Sequence, residues 1–151
     1  MLDVAPYQLD ATTHTAIYQT IKAAIFAECT SMVVPRAVLV TAQPATGKST
    51  LIKQLVTQFG ANEKPASVNV DDLRVYHPAY HDLCRDHPFN MTDATNHDAK
   101  RWATQLMLDA SAMKLNVIVE ATLRDIEPIQ ATAKGFQNAG YAVELCCIAL
   151  H

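Results

Sequence analysis

The chain has 151 residues, half of them apolar, 18% charged, with a net charge of −3. Length and composition fit one ordinary domain with a real core, and they exclude a disordered acidic tail, whose few apolar groups could not offset ordering entropy. Twelve basic residues against fifteen acidic ones argue against broad electrostatic binding to nucleic acid. The start, Met1-Leu2-Asp3-Val4, has no basic region, and no apolar run approaches the roughly 20 residues needed to span a bilayer. Cys29, Cys84, Cys146 and Cys147 lack a paired spacing and read as buried thiols in a reducing, cytoplasmic compartment.

In chain order, residues 10–29 predict a helix, with Ile17, Ile21, Ala24 and Ile25 at helical spacing and Asp10 as its cap. Pro35 separates it from Arg36-Ala-Val-Leu-Val-Thr41, a β-branched apolar run suited to a strand covered on both faces. Residues 51–59 predict a second helix, stopped by Gly60. Residues 67–70 predict a second strand, closing on Asp71-Asp72. A polar section rich in His and Pro covers residues 77–90. From 93 to 115, Ala94, Ala99, Trp102, Leu106, Ala110 and Met113 line one face of a helix, and core packing accounts for Trp102. Residues 116–120 predict a third strand, 125–139 a helix with Pro128 in its first turn and Gly140 at its end, and 141–150 a fourth strand. Strands alternating with helices imply an α/β fold with a parallel sheet, and ligands in such folds gather at the carboxyl ends of the strands.

Three motifs fall at those ends. After the first strand comes Ala42-Gln43-Pro44-Ala45-Thr46-Gly47-Lys48-Ser49-Thr50, a phosphate-binding loop whose first glycine is replaced by alanine. Such a loop aims backbone N–H groups and a helix N-terminus at phosphate oxygens. Lys48 would contact the β- and γ-phosphates of ATP, and the Ser49 hydroxyl would hold Mg²⁺. The second strand delivers Asp71, placed to take a proton from an attacking hydroxyl or to hold Mg²⁺, or else simply to cap a short helix. The third ends Glu120-Ala121-Thr122-Leu123-Arg124. Alternation puts Glu120, Thr122 and Arg124 on one side, an acceptor, a hydroxyl and a cation able to grip a polar phosphorylated substrate. His77, His81, Cys84 and His87 would share a helix face and could hold zinc, but Pro78 and Pro88 interrupt the segment.

The run Asp71-x-Leu73-Arg74-x2-His77-Pro78 after a phosphate loop, followed by Asn116-Val-Ile-Val-Glu120-x-Thr122-Leu123-Arg124, resembles the zeta toxin family. Gly140-Tyr141-x-Val143-Glu144-Leu145 agrees with it, and the similarity runs from about residue 37 to 150. The resemblance implies a three-layer P-loop kinase-like fold and a toxin of a toxin–antitoxin system that phosphorylates the 3′-hydroxyl of UDP-N-acetylglucosamine with ATP and Mg²⁺. It implies Asp71 as general base, Lys48 as the cation on the transferred phosphoryl group, Ser49 as metal ligand, and Glu120, Thr122 and Arg124, with Arg74, as groups binding the sugar nucleotide. An antitoxin protein is the implied partner, with no nucleic acid and no membrane. Residues 1–151 then form one domain, a helical segment over 1–34 and a nucleotide-binding core over 36–150 without the family's usual C-terminal, arginine-bearing segment. Ala42 and Ala45 stand where the family's loop usually has glycines, and Thr104 and Gln105 where it can carry a further acid. Two other readings stay open: a P-loop kinase for another small molecule, and a non-catalytic nucleotide-binding or antitoxin-binding module.

Overall fold

The computed structural model describes residues 1–42, 47–122 and 126–148, with only the backbone for residues 42, 122, 126 and 148. Its helices and strands are α1 (Ala11–Ile25), β1 (Arg36–Ala42), α2 (Lys48–Gln58), β2 (Ala66–Val68), α3 (Val70–Leu73), α4 (Tyr80–Asp86), α5 (Met91–Ala112), β3 (Val117–Thr122), α6 (Ile126–Asn138) and β4 (Ala142–Ile148). The chain divides into two compact units: Met1–Ile25 with Asn69–Leu106, and Phe26–Val68 with Met107–His151.

The second unit holds the sheet. Its order is β2-β3-β1-β4 and every pairing is parallel, as the alternation of strands and helices predicts. The register sets Val40 of β1 opposite Glu120 of β3 and Cys146 of β4. One face carries Val38, Val40 and Ile118, which pack with Leu55 of α2 and with Phe59 just past its end. That burial is what makes α2 a helix here, because an eleven-residue helix is marginal in water without an apolar face to cover. Asn116 locks the entry to β3: its Oδ1 accepts from Arg36 N at 2.8 Å and its Nδ2 donates to Glu63 O at 3.1 Å. At the far end Gly140 takes a φ of 89°, a left-handed turn that an L side chain resists, between α6 and β4.

The first unit is helical. Asp10 caps α1 as the sequence predicts, accepting from Thr13 N at 2.8 Å and from Thr13 Oγ1 at 2.9 Å. Those hydrogen bonds hold the Asp10 carboxyl below its ordinary range. Ala94, Ala99 and Trp102 of α5 are buried as expected. Within that apolar face sits Asp98, fully buried. It takes His14 Nδ1 at 2.6 Å on one oxygen and Leu9 N at 3.1 Å on the other. Trp102 stacks on the His14 ring and donates its Nε1 to His14 O at 3.1 Å.

Three expectations need correction. Met113 is 46% exposed, because α5 has ended at Ala112 and the stripe no longer follows a helix. No cysteine is buried: Cys84 and Cys147 are exposed and Cys29 and Cys146 half-buried, Cys147 lying on a strand that pairs on one side only among the described residues. Val70 leaves the second strand and starts α3, since the Asn69 side chain accepts from Asp71 N and so opens a helix there.

Candidate functional site

In the sheet-bearing unit, β1 runs into the phosphate loop. Ala42 is the last residue of β1 and is paired with Thr122 and Ile148 in extended backbone, where alanine is under no strain. The missing glycine is therefore harmless at that position. Gln43, Pro44, Ala45 and Thr46 lie outside the described residues. Gly47 has a φ of 79° and is the N-cap of α2, so the loop's remaining glycine is the one whose backbone demands it.

Beyond Gly47 the chain turns at once into helix. Gly47 O accepts from Thr50 N at 3.1 Å and Leu51 N at 3.2 Å, and Gly47 at the N-cap has no side chain to cap the end. The N–H groups of Lys48 and Ser49, ahead of those bonds, thus point out of the helix without an intrahelical partner. There is no acid in that turn, while Lys48 is half-buried and Ser49 and Thr50 are exposed. Positive end, ammonium and two hydroxyls form a donor set suited to a polyphosphate, with Ser49 Oγ able to serve a hard divalent cation. Lys48 Nζ lies 3.8 Å from Glu120 Oε1, whose side chain is 10% exposed. The two motifs of this unit therefore meet: β3 is the neighbour of β1, so its last residues come out beside the loop. The Thr122 side chain and all of Arg124 lie outside the described residues.

In the helical unit, Asp71 sits in the first turn of α3, its side chain 70% exposed. It is not the cap. Asn69 does that job, leaving the Asp71 carboxylate to other uses. Arg74, one turn on, is buried and ties Asp71 to α5: Nε donates to Asp71 Oδ1 at 3.2 Å, Nη1 to Thr92 O at 2.9 Å and Thr95 Oγ1 at 3.2 Å, and Nη2 to Asn96 Oδ1 at 3.1 Å. His77 is a second anchor. Its Nδ1 accepts from Ala79 N at 3.1 Å, so the proton sits on Nε2, which donates to Tyr7 O at 2.8 Å. Its ring is thereby committed, and His81, Cys84 and His87 are exposed around a helix only seven residues long. Among the described residues no three His, Cys, Asp or Glu side chains are grouped to hold a metal.

Asn69, Asn96 and Thr95 leave no signal in the sequence. Asp98 alone left a trace, a charge at four-residue spacing inside the run Ala94, Trp102, Leu106 and Ala110.

Residues 22–151 match the model of the zeta toxin family. The chain is similar to toxin PezT of Streptococcus pneumoniae serotype 4 (strain ATCC BAA-334 / TIGR4), at 29% identity over 115 residues, which is 76% of this chain and 45% of that protein. A solved structure from the molecular and structural characterization of the PezAT chromosomal toxin–antitoxin system of that pathogen matches with a TM-score of 0.83 and 23% identity, over 96% of this chain and 59% of the other. A crystal structure from Chloroflexus aurantiacus j-10-fl shares the fold more loosely, with a TM-score of 0.52 and 16% identity over 79% and 62%. The chain thus spans under two thirds of the length of each.

Proposed function

The chain belongs to the zeta toxin family, and from that premise we propose that it transfers the γ-phosphoryl group of ATP to the 3′-hydroxyl of UDP-N-acetylglucosamine, as the toxin of a toxin–antitoxin pair. The observation that carries the reading is the phosphate-binding end of α2: a left-handed Gly47, an uncapped first turn free of acids, and Lys48 held beside Glu120. The similarity to PezT and to the PezAT structure supports the toxin role and an antitoxin as partner.

The residues divide the work as follows. Backbone N–H groups of residues 47–49, with those of the loop before them, bind the phosphates. Lys48 bridges to the transferred group and offsets the charge that builds on its oxygens. Ser49 would hold Mg²⁺, which supplies charge neutralisation on the phosphates when bound. Glu120, Thr122 and Arg124 grip the sugar nucleotide through hydroxyl and phosphate contacts. Asp71 takes the proton of the 3′-hydroxyl as its oxygen bonds to the γ-phosphorus and the bond to the β,γ-bridging oxygen breaks, releasing ADP. The exposure of Asp71 and its release from capping support that role.

Incubation of the full-length protein with Mg·ATP and a panel of UDP-sugars tests the substrate. A 3′-phosphorylated UDP-N-acetylglucosamine identified by phosphorus NMR is the expected product. Phosphorylation of a different acceptor would replace the substrate assignment, and nucleotide binding with no transfer to any acceptor would leave a binding module instead of a kinase.

A further inference from the structure

The side chains of Asp71 and Arg74 differ sharply in exposure, 70% against 8%. An exposed carboxylate on two rotatable bonds samples many orientations, which is a poor state for a group that must meet one hydroxyl. Arg74 removes that freedom. Four of its five N–H donors are engaged, and three of those bonds run to the first turns of α5, to Thr92 O, Thr95 Oγ1 and Asn96 Oδ1. Thr95 is itself fixed, donating its hydroxyl to Met91 O at 2.9 Å. The fourth bond, Nε to Asp71 Oδ1, is charge-assisted and therefore directional.

We propose that Arg74 is a positioning residue for Asp71 and not a group that binds the acceptor. It holds Oδ1 and leaves Oδ2, which has no partner among the described residues, as the oxygen presented for proton transfer. The fixed fork of a guanidinium is required, because one planar group must satisfy α5 and Asp71 at once, which an ammonium cannot do. This inference rests on the reading of Asp71 as the base.

Steady-state kinetics of the full-length protein with ATP and UDP-N-acetylglucosamine provide the test, using Asp71→Asn, Arg74→Lys, Arg74→Gln, Asn96→Ala and the double variant Asp71→Asn/Arg74→Gln. A loss of about 100-fold or more in Asp71→Asn is expected for a general base; wild-type turnover there would overturn the base assignment, whatever Arg74 does. Given that loss, both Arg74 variants should lower kcat by roughly 10- to 100-fold with KM for the sugar nucleotide within about twofold. The double variant should be no slower than Asp71→Asn alone, because two residues acting as one unit are not additive. Asn96→Ala leaves both charged groups in place and should lower kcat several-fold, which keeps the test open if an Arg74 variant fails to fold. A raised KM at unchanged kcat in the Arg74 variants, or additive losses in the double variant, would make Arg74 a substrate contact and overturn the proposal.

Discussion

Gly47 and Ala42 answer differently to the same motif. A side chain at position 47 meets no atom of the described residues within 4 Å, so Gly47→Ala is set against the left-handed backbone, at a cost of about 1–2 kcal/mol. We expect that variant to fold, lose about that much stability in a urea titration, and bind ATP more weakly in calorimetry. Ala42→Gly should leave ATP binding near wild type and lose about 0.5–1 kcal/mol, the entropy of a glycine in a strand. Tyr141 gives an independent prediction. Its hydroxyl reaches Leu115 O at 2.6 Å and Ala110 O at 3.0 Å, and burial pushes its phenol from 10.0 up to about 12. A raised folded value means that its contribution to stability is complete below pH 10 and is lost as pH rises towards 12. Ultraviolet titration should show a tyrosine ionising near pH 12 that is absent in Tyr141→Phe, which should also lose roughly 1–2 kcal/mol because Leu115 O is left without its donor, while Ala110 O keeps Leu115 N.

At the scale of elements, the helical unit is organised by one buried carboxylate. Asp98 joins residues 9 and 14 to α5, and Trp102 and His14 close the same cluster by stacking. Asp98→Ala strands the His14 ring nitrogen and the Leu9 amide together, so a loss of roughly 3 kcal/mol is expected in denaturant unfolding. Asp98→Asn retains an acceptor and should lose less. Such ties explain which parts of the fold could be read from sequence. The strands announced themselves through β-branched apolar runs, and α5 through Ala94, Ala99 and Trp102, since burial of a periodic face is a local signal. The start of α3 did not, because it turns on one Asn69 side chain reaching Asp71 N. The anchoring of Arg74 depends on residues 18 to 22 positions away, and spacing in the chain carries no trace of such a contact.

At the scale of the molecule, the parallel order β2-β3-β1-β4 explains why two motifs more than seventy residues apart, at Lys48 and Glu120, are neighbours. The pattern of alternating elements made that parallel sheet legible, whereas the strand order itself came only with the register of β1 between β3 and β4. If the loop and helix of that sheet are the phosphate site, Lys48→Ala should leave the urea midpoint near wild type and lower phosphoryl transfer by about 100-fold or more. The central claim is the proposed division of roles, with Lys48 serving the nucleotide and Asp71 acting as the base. The direct measurement follows γ-labelled ATP in the full-length protein, wild type beside Asp71→Asn, with nucleotide affinity recorded for both. The account predicts label on UDP-N-acetylglucosamine with the wild type and almost none with Asp71→Asn, at equal ATP affinity. Equal labelling by the two proteins would contradict it.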